Sequence, residues 1–475
     1  MTVLVGLDVG TTGVKAIAIT PDGDVVSRIE RPYSLSTPHP GWSEQDPEDW
    51  WRESQAALAE LGGEIAGIGL AGQMHGLVAL DAEDRVLRPA ILWNYQRTGA
   101  ECAEIEERIG LARLVELTGN RALPGFTAPK LLWLRRHEPD AYARIRHVLL
   151  PKDYVRLRLT AERAMDAADA SGTLLLDVGR RTWSDEVLDA LEVPAEWLPP
   201  VLESPEVSGR TADGIPVAAG AGDQAAAALG VGVVGAGGPV SVVLGTSGVV
   251  FAALPGYRSD PQARLHVFCH AVPGSWHAMG VMLSAAGSLQ WLRDRVAPNV
   301  SFEGLLEEAA AWPPGADGLL FAPYLAGERT PYPDPDARGA FVGLELRHDR
   351  GALCRAVLEG VAYGLRDSLA LLRELGVEVR VGRVSGGGAR GRLWLEIVAS
   401  VLGIPLELTE VEEGSAFGAA LLGGVAGGLH SDVHDAVARC IRVTDTVEPD
   451  PAWMAVYHDG HARYRRLYPA IKGVL

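Results

Sequence analysis

The chain has 475 residues, 47% of them hydrophobic and 22% charged, the balance of a water-soluble protein too long for one ordinary core. Its formal net charge of -18 argues against a nucleic-acid partner, which calls for a basic face to neutralise phosphates. The uncharged stretch 224–257 has the length of a membrane span, but Gly235, Gly237, Gly238, Pro239, Gly245 and Gly248 cut it into short valine-rich runs, which read as buried strands.

In chain order, 3–7 reads as a strand ending at Asp8, followed by the turn Gly10, Thr11, Thr12, Gly13 and a second strand over 14–19. Glycines in such a turn let backbone N–H groups approach a ligand, and neighbouring hydroxyls complete a concavity suited to phosphate. The pattern recurs at Gly245, Thr246, Ser247, Gly248 and Val249, so the chain reads as two similar halves. The Gly-rich link at 235–239 divides them into 1–236 and 237–475. Asp8 is placed for a hydrated Mg²⁺ beside phosphates held between the hairpins.

A third strand is expected over 25–31, and Asp46 with Pro47 opens a helix running to about Leu61. A buried strand over 65–70 ends at Gly72, Gln73, Met74, His75 and Gly76, and polar residues at such strand ends are where ligands sit in α/β folds. His75 is either a satisfied structural residue or a neutral imidazole offered to a sugar hydroxyl. A strand over 86–92 leads to Trp93, Asn94, Tyr95, Gln96 and Arg97, either a sugar-binding edge or a helix start with a packed tryptophan. Residues 126–130 read as a loop between helices, and the acidic turn with Asp166 and Asp169 reads as structural.

A short strand over 217–221 delivers Gly222, Asp223 and Gln224. Asp223 either caps the next helix or acts as general base on a substrate hydroxyl attacking a phosphoryl group. Further on, a helix over 284–293 carries Gln290, a long helix spans 350–374, and Gly386, Gly387, Gly388 and Ala389 join a strand to a helix ending near Leu402. Such a glycine run allows close approach of a flat or anionic ligand to a helix start. Glu413, Gly414, Ser415, Ala416 and Phe417 open one more helix of small residues suited to tight packing. The four cysteines have no metal-ligand spacing and no secretory signal is visible, so a reducing cytoplasm is the expected home.

These motifs resemble the FGGY carbohydrate kinases nearly end to end, through 38–51, 72–76, 88–94, 125–133, 150–154, 222–224, 244–249, 268–271, 324–331 and 386–390. Gln73, Met74, His75 and Gly76 are similar to the branch acting on D-xylulose; glycerol kinases carry Arg and Glu at positions 74 and 75. The resemblance implies an α/β fold of two actin-like, ribonuclease H-like ATPase domains closing on an interdomain cleft, the sugar mainly on the first and ATP on the second. It implies transfer of the γ-phosphoryl group of ATP to the 5-hydroxyl of D-xylulose, with Asp223 as base and Asp8 as the metal-associated aspartate, both near Mg²⁺. Gln73, Met74, His75, Trp93 and Asn94 would line the sugar side together with Asp223. Thr11, Thr12, Lys15, Gly245, Thr246, Ser247, Gln290, Gly387, Gly388 and Ala389 would line the nucleotide side.

The partners expected are therefore a small sugar and ATP, with no nucleic acid and no membrane; a homodimer is compatible. Two rivals stay open: a family member acting on another ketose or a polyol, and an actin-like ATPase acting on a protein. Three residues depart from the family pattern, Tyr95 and Ser400 where Asp is usual and Gly391 where Ser is usual. Tyr95 bears most on substrate preference.

Overall fold

The computed structural model describes residues 1–411 and 414–474; Glu413, expected at the opening of the last small-residue helix, lies outside them. The first sheet contains β1 (Thr2–Val9), β2 (Gly13–Ile19), β3 (Val25–Pro32), β4 (Glu64–Gly72), β5 (Val207–Arg210), β6 (Pro216–Ala218) and β7 (Ala221–Gly222). Its order is β5-β6-β4-β1-β2-β3, with β7 also on β4. The second contains β8 (Val240–Leu244), β9 (Gly248–Leu254), β10 (His266–Cys269), β11 (Trp276–Met282), β12 (Gly382–Ser385), β13 (Leu406–Thr409) and β14 (Val443–Val447), in the order β10-β11-β9-β8-β12-β13-β14.

The repeat read from the glycine turns is a repeat of topology. β1 pairs antiparallel with β2 and parallel with β4, as β8 pairs antiparallel with β9 and parallel with β12. Each half is the mixed sheet of an actin-like domain. Strands buried on both faces, such as β1 and β9, read as near-continuous apolar runs, whereas β3 alternates between half-buried and exposed residues because only one face is covered.

Local chemistry sets the helices. α1 (Pro47–Glu60) begins where the Asp46 side chain accepts the Glu48 N–H at 3.0 Å, and Pro47 sits where no N–H is needed. The segment read as a loop at 126–130 is instead the first turn of α2 (Thr127–His137); Pro129 fits there because first-turn N–H groups lack intrahelical partners. The strand expected over 86–92 shrinks to Ala90–Ile91. The one expected over 217–221 splits into β6 and β7 at Gly220, whose φ of 86° favours glycine. α3 (Asp223–Gly230) follows β7 directly. In the second half come α4 (Ala286–Val296), α5 (Arg350–Glu374), α6 (Arg392–Leu402), α7 (Gly414–Ala426) and α8 (Val433–Cys440).

The halves interlock. α7 and α8 lie in the segment assigned to the second unit by a division at 236/237, yet they pack on the first sheet, where Ala416, Phe417, Ala420 and Val437 share a core with Leu4, Ile17 and Ile19. Glycines make this approach feasible: a Cβ at Gly6 would collide with the Ala416 carbonyl, and one at Gly69 with that of Ala419. In return β10 and β11 pack on the first half, where Phe268 and Met279 share a cluster with Met74, Phe126 and Trp133.

Candidate active site

Three parallel strands end together. Asp8 lies opposite Ala71 and Val9 opposite Gly72, while Ala71 and Gly72 face Ala221 and Gly222. Strands sit about 4.8 Å apart, so Asp8 and Asp223 emerge on the same edge with backbones about 10 Å apart, flanking Gln73.

Asp223 is half-buried at the start of α3, and its carboxyl is pushed up to about 7, chiefly by desolvation and then by the charge of Asp8. Asp8 is buried, and its pKa is raised by desolvation against the opposing effects of Ser415 and Lys15. One Asp8 oxygen accepts the Ser415 hydroxyl at 2.5 Å; the other is buried with no hydrogen-bond partner. An orphaned carboxylate oxygen fits a cation that keeps most of its water, as Mg²⁺ does. Among the described residues no cluster of three His, Cys, Asp or Glu is placed to cage a metal.

The first hairpin is braced from behind. The Gly10 carbonyl accepts from the Tyr33 hydroxyl at 2.5 Å and Gln73 Nε2 at 3.2 Å, the Thr11 carbonyl from Gln45 Nε2 at 2.7 Å, and the Thr12 carbonyl from the Tyr33 N–H at 3.2 Å. The Thr11 and Thr12 N–H groups make no backbone hydrogen bond among the described residues. Trp93 Nε1 donates to Thr11 Oγ1 at 3.0 Å, and Thr11 Oγ1 to Gln73 Oε1 at 3.3 Å. Gln73 and Trp93, read as sugar contacts, thus spend their polar atoms on the hairpin. Lys15 on β2 lies opposite Asp8 on β1, more than half exposed and 3.5 Å from Glu30.

Met74 packs against Gly222 and Gly172, beside the strand end that carries Asp223. His75 has φ of 69°, and its Nδ1 lies 2.7 Å from the Gly172 carbonyl. A carbonyl only accepts, so Nδ1 carries the proton; burial holds the ring neutral, its pKa well below the usual value. Nε2 is then an acceptor for a hydroxyl. The His75 carbonyl is clamped by Thr127 Oγ1 at 3.0 Å and Lys130 Nζ at 2.8 Å. Asn94 Oδ1 is buried without a partner among the described residues, and Tyr95 is fully buried against Trp42 and Trp133, away from solvent.

Behind the strand ends, Lys152 is fully buried with Asp153 and Asp166 each at 2.6 Å and Asp169 at 3.1 Å. The acidic turn is therefore a structural ion cluster. On the second half, Gly245, Thr246, Gln290, Gly387, Gly388 and Trp394 line a cavity of about 500 Å³. Ala389 faces an adjoining cavity of about 540 Å³. The second hairpin docks on the start of α4, where the Ala286 N–H donates to the Gly245 carbonyl at 2.8 Å and the Ala285 N–H to that of Thr246 at 2.9 Å. Neither cavity is lined by Ser247.

Residues 3–230 match the N-terminal domain, and 240–427 the C-terminal domain, of the FGGY family of carbohydrate kinases. The chain belongs to that family. Among relatives of the kinase, the xylulose kinase of Escherichia coli (strain K12) is 42% identical over 98% of each chain. The solved structure of a xyloylose kinase from Brucella ovis is 43% identical with a TM-score of 0.94 over 100% of both chains. That of the xylulose kinase from Rhodospirillum rubrum is 34% identical with a TM-score of 0.92 over 99% of both. No helix among the kinase's described residues is long and apolar enough to cross a membrane.

Sequence reasoning missed the supports of this site: Ser415 on Asp8, Tyr33 and Gln45 behind the hairpin, and Lys130 on His75. Each acts across 23 to 407 residues of chain, and no local pattern marks it.

Proposed function

We propose that this carbohydrate kinase transfers the γ-phosphoryl group of ATP to the 5-hydroxyl of D-xylulose, giving D-xylulose 5-phosphate and ADP. The observation that carries the proposal is a carboxyl held near neutrality at Asp223, at one end of a wall continued by Met74 and His75. The relatives named above as xylulose kinases support the choice of sugar.

In this reading Asp223 orients the 5-hydroxyl and receives its proton as the O–P bond forms and the bond from the γ-phosphorus to its bridging oxygen breaks. His75 Nε2 accepts from a sugar hydroxyl and Asn94 Oδ1 from another. The Thr11 and Thr12 N–H groups donate to phosphate oxygens, with Lys15 adding charge from the hairpin edge. Gly245, Thr246, Ser247, Gln290, Gly387, Gly388 and Ala389 hold the nucleotide. Asp8, with Asp223 nearby, would hold Mg²⁺ among its waters, and the ion would neutralise phosphate charge. Closure of the halves excludes water, which would otherwise accept the phosphoryl group.

The domain division proposed runs at 236/237 in chain order, with 414–440 returning to the first unit. The test is initial ADP formation with Mg-ATP and D-xylulose, L-ribulose, D-ribulose, glycerol or gluconate. D-xylulose should give the highest kcat/KM. Another winner overturns the substrate, and a sugar-independent rate stimulated by a protein would favour the actin-like ATPase reading.

A further inference from the structure

Two cavities share Gly387, and they differ in what else lines them. The cavity of about 500 Å³ takes in Gly245 and Thr246 of the second hairpin together with Leu289, Phe302 and Leu306. The adjoining cavity of about 540 Å³ is lined by neither hairpin residue, and its walls carry Arg390, Arg392 and Asp445. A nucleotide whose phosphates sit at the hairpin therefore opens directly into the chamber with the apolar wall.

The helix Phe302–Ala310 builds that wall. The Ser301 side chain accepts the Gly304 N–H at 3.1 Å, which fixes the first turn. Phe302 and Leu306 stand four residues apart and so share one face of the helix. Leu306 is seated against Gly391, where a Cβ would come within 2.9 Å of Leu306 Cδ1. The glycine at 391, a departure from the family pattern, thus lets the helix lean on the end of the glycine run. Phe302 continues the same face along the cavity. The Arg293 guanidinium of α4 lies 4.2 Å from its ring centroid and steadies the ring, yet Phe302 is still 39% exposed. A Cβ at Gly387 would meet nothing within 4 Å, so the glycine run also shows bare backbone to the chamber. An uncovered aromatic ring, held in place beside bare peptide surface, suits a flat ligand.

We propose that Phe302 stacks on the nucleobase of the phosphoryl donor in this cavity, with Leu306, seated on Gly391, closing the wall beside it. The inference rests on the nucleotide reading above, to which it adds the side chain that holds the base. Every nucleobase has a π-face, so such a platform adds affinity for the base and none for the phosphates.

The test compares wild type, F302A, F302L and F302W by calorimetric Kd for Mg-ADP and for Mg-pyrophosphate, with KM for ATP and for D-xylulose alongside. F302A should weaken ADP binding by ~5- to 50-fold, the loss expected for one stacked base, and change pyrophosphate binding by less than about 2-fold. KM for ATP should rise with it, while KM for D-xylulose stays within about 2-fold. F302W, which keeps a π-face, should bind ADP within about 3-fold of wild type, and F302L, which keeps only apolar bulk, should not. Unchanged ADP affinity in F302A, equal losses for ADP and pyrophosphate, or F302L matching wild type overturns stacking at Phe302 and leaves the nucleotide reading standing. Wild type that binds neither ADP nor pyrophosphate overturns the nucleotide reading and this inference with it.

Discussion

Replacing Asp223 by Asn separates catalysis from stability at the residue on which the mechanism depends. The folded carboxyl holds its proton up to about pH 7, against an ordinary value of 3.8. Between those values the unfolded state binds fewer protons than the folded one, so stability falls as pH rises through this window, and the full cost is reached above pH 7. From pH 5 to pH 7 that is two pH units, or about 2.7 kcal/mol. The advantage of the neutral Asn over Asp should therefore grow by about 2 to 3 kcal/mol between pH 5 and pH 8. For a chain of this length about 1 kcal/mol moves the melting temperature by roughly 1 °C. Melting in EDTA should show D223N gaining about 2 to 3 °C on wild type as the pH is raised, while ADP formation falls by ~10²- to 10⁴-fold. A gain that is the same at both pH values would refute the raised carboxyl, and a loss of activity under about 10-fold would refute the base.

Three further substitutions test the surroundings. Tyr95→Phe removes a buried hydroxyl that has no partner, so stability should stay within about 0.5 kcal/mol or rise, and kcat/KM for D-xylulose should be unchanged; a large kinetic effect would show that position 95 reaches the sugar. Lys152→Met leaves three buried carboxylates of which Arg156 pairs with Asp153, a loss of about 3 to 5 kcal/mol, read as a melting temperature lower by roughly 3 to 5 °C. Ser415→Ala removes the donor that orders Asp8, so the Mg²⁺ concentration for half-maximal rate should rise about 3- to 10-fold, with KM for the sugar unchanged and Ser415→Thr restoring part of the effect. An unaltered Mg²⁺ dependence would remove Ser415 from the site.

What could be read from the chain was what is local. The two glycine turns, Asp8 at the end of β1 and Asp223 at the end of β7 are marked by neighbours within a few residues, because strand ends and tight turns restrict which residues fit. The Asp46 cap, the Pro47 start and the full span of α5 were legible for the same reason. The start of α2 was not, since Thr127, Ala128 and Pro129 read equally as a loop until Lys130 is seen to reach the His75 carbonyl. Gln73 and Trp93 carried polar groups at the right place for a sugar, but the hairpin competes for those groups and takes them.

The same distinction explains why the site belongs to both halves of the chain. The run of Gly and Ala in α7 announced close packing, yet only the fold reveals that its surface is β1 and β4 of the first sheet. Ser415, at the start of α7, consequently reaches Asp8, while Thr330 ties its loop to Val281 of β11. The segment 427–442, with α8 packed through Val437 and Cys440 on the first sheet, returns the chain to β14. Asp8 and Asp223 thus both lie at strand ends of the first sheet, while the cavity lined by Gly245 and Gly387 belongs to the second half.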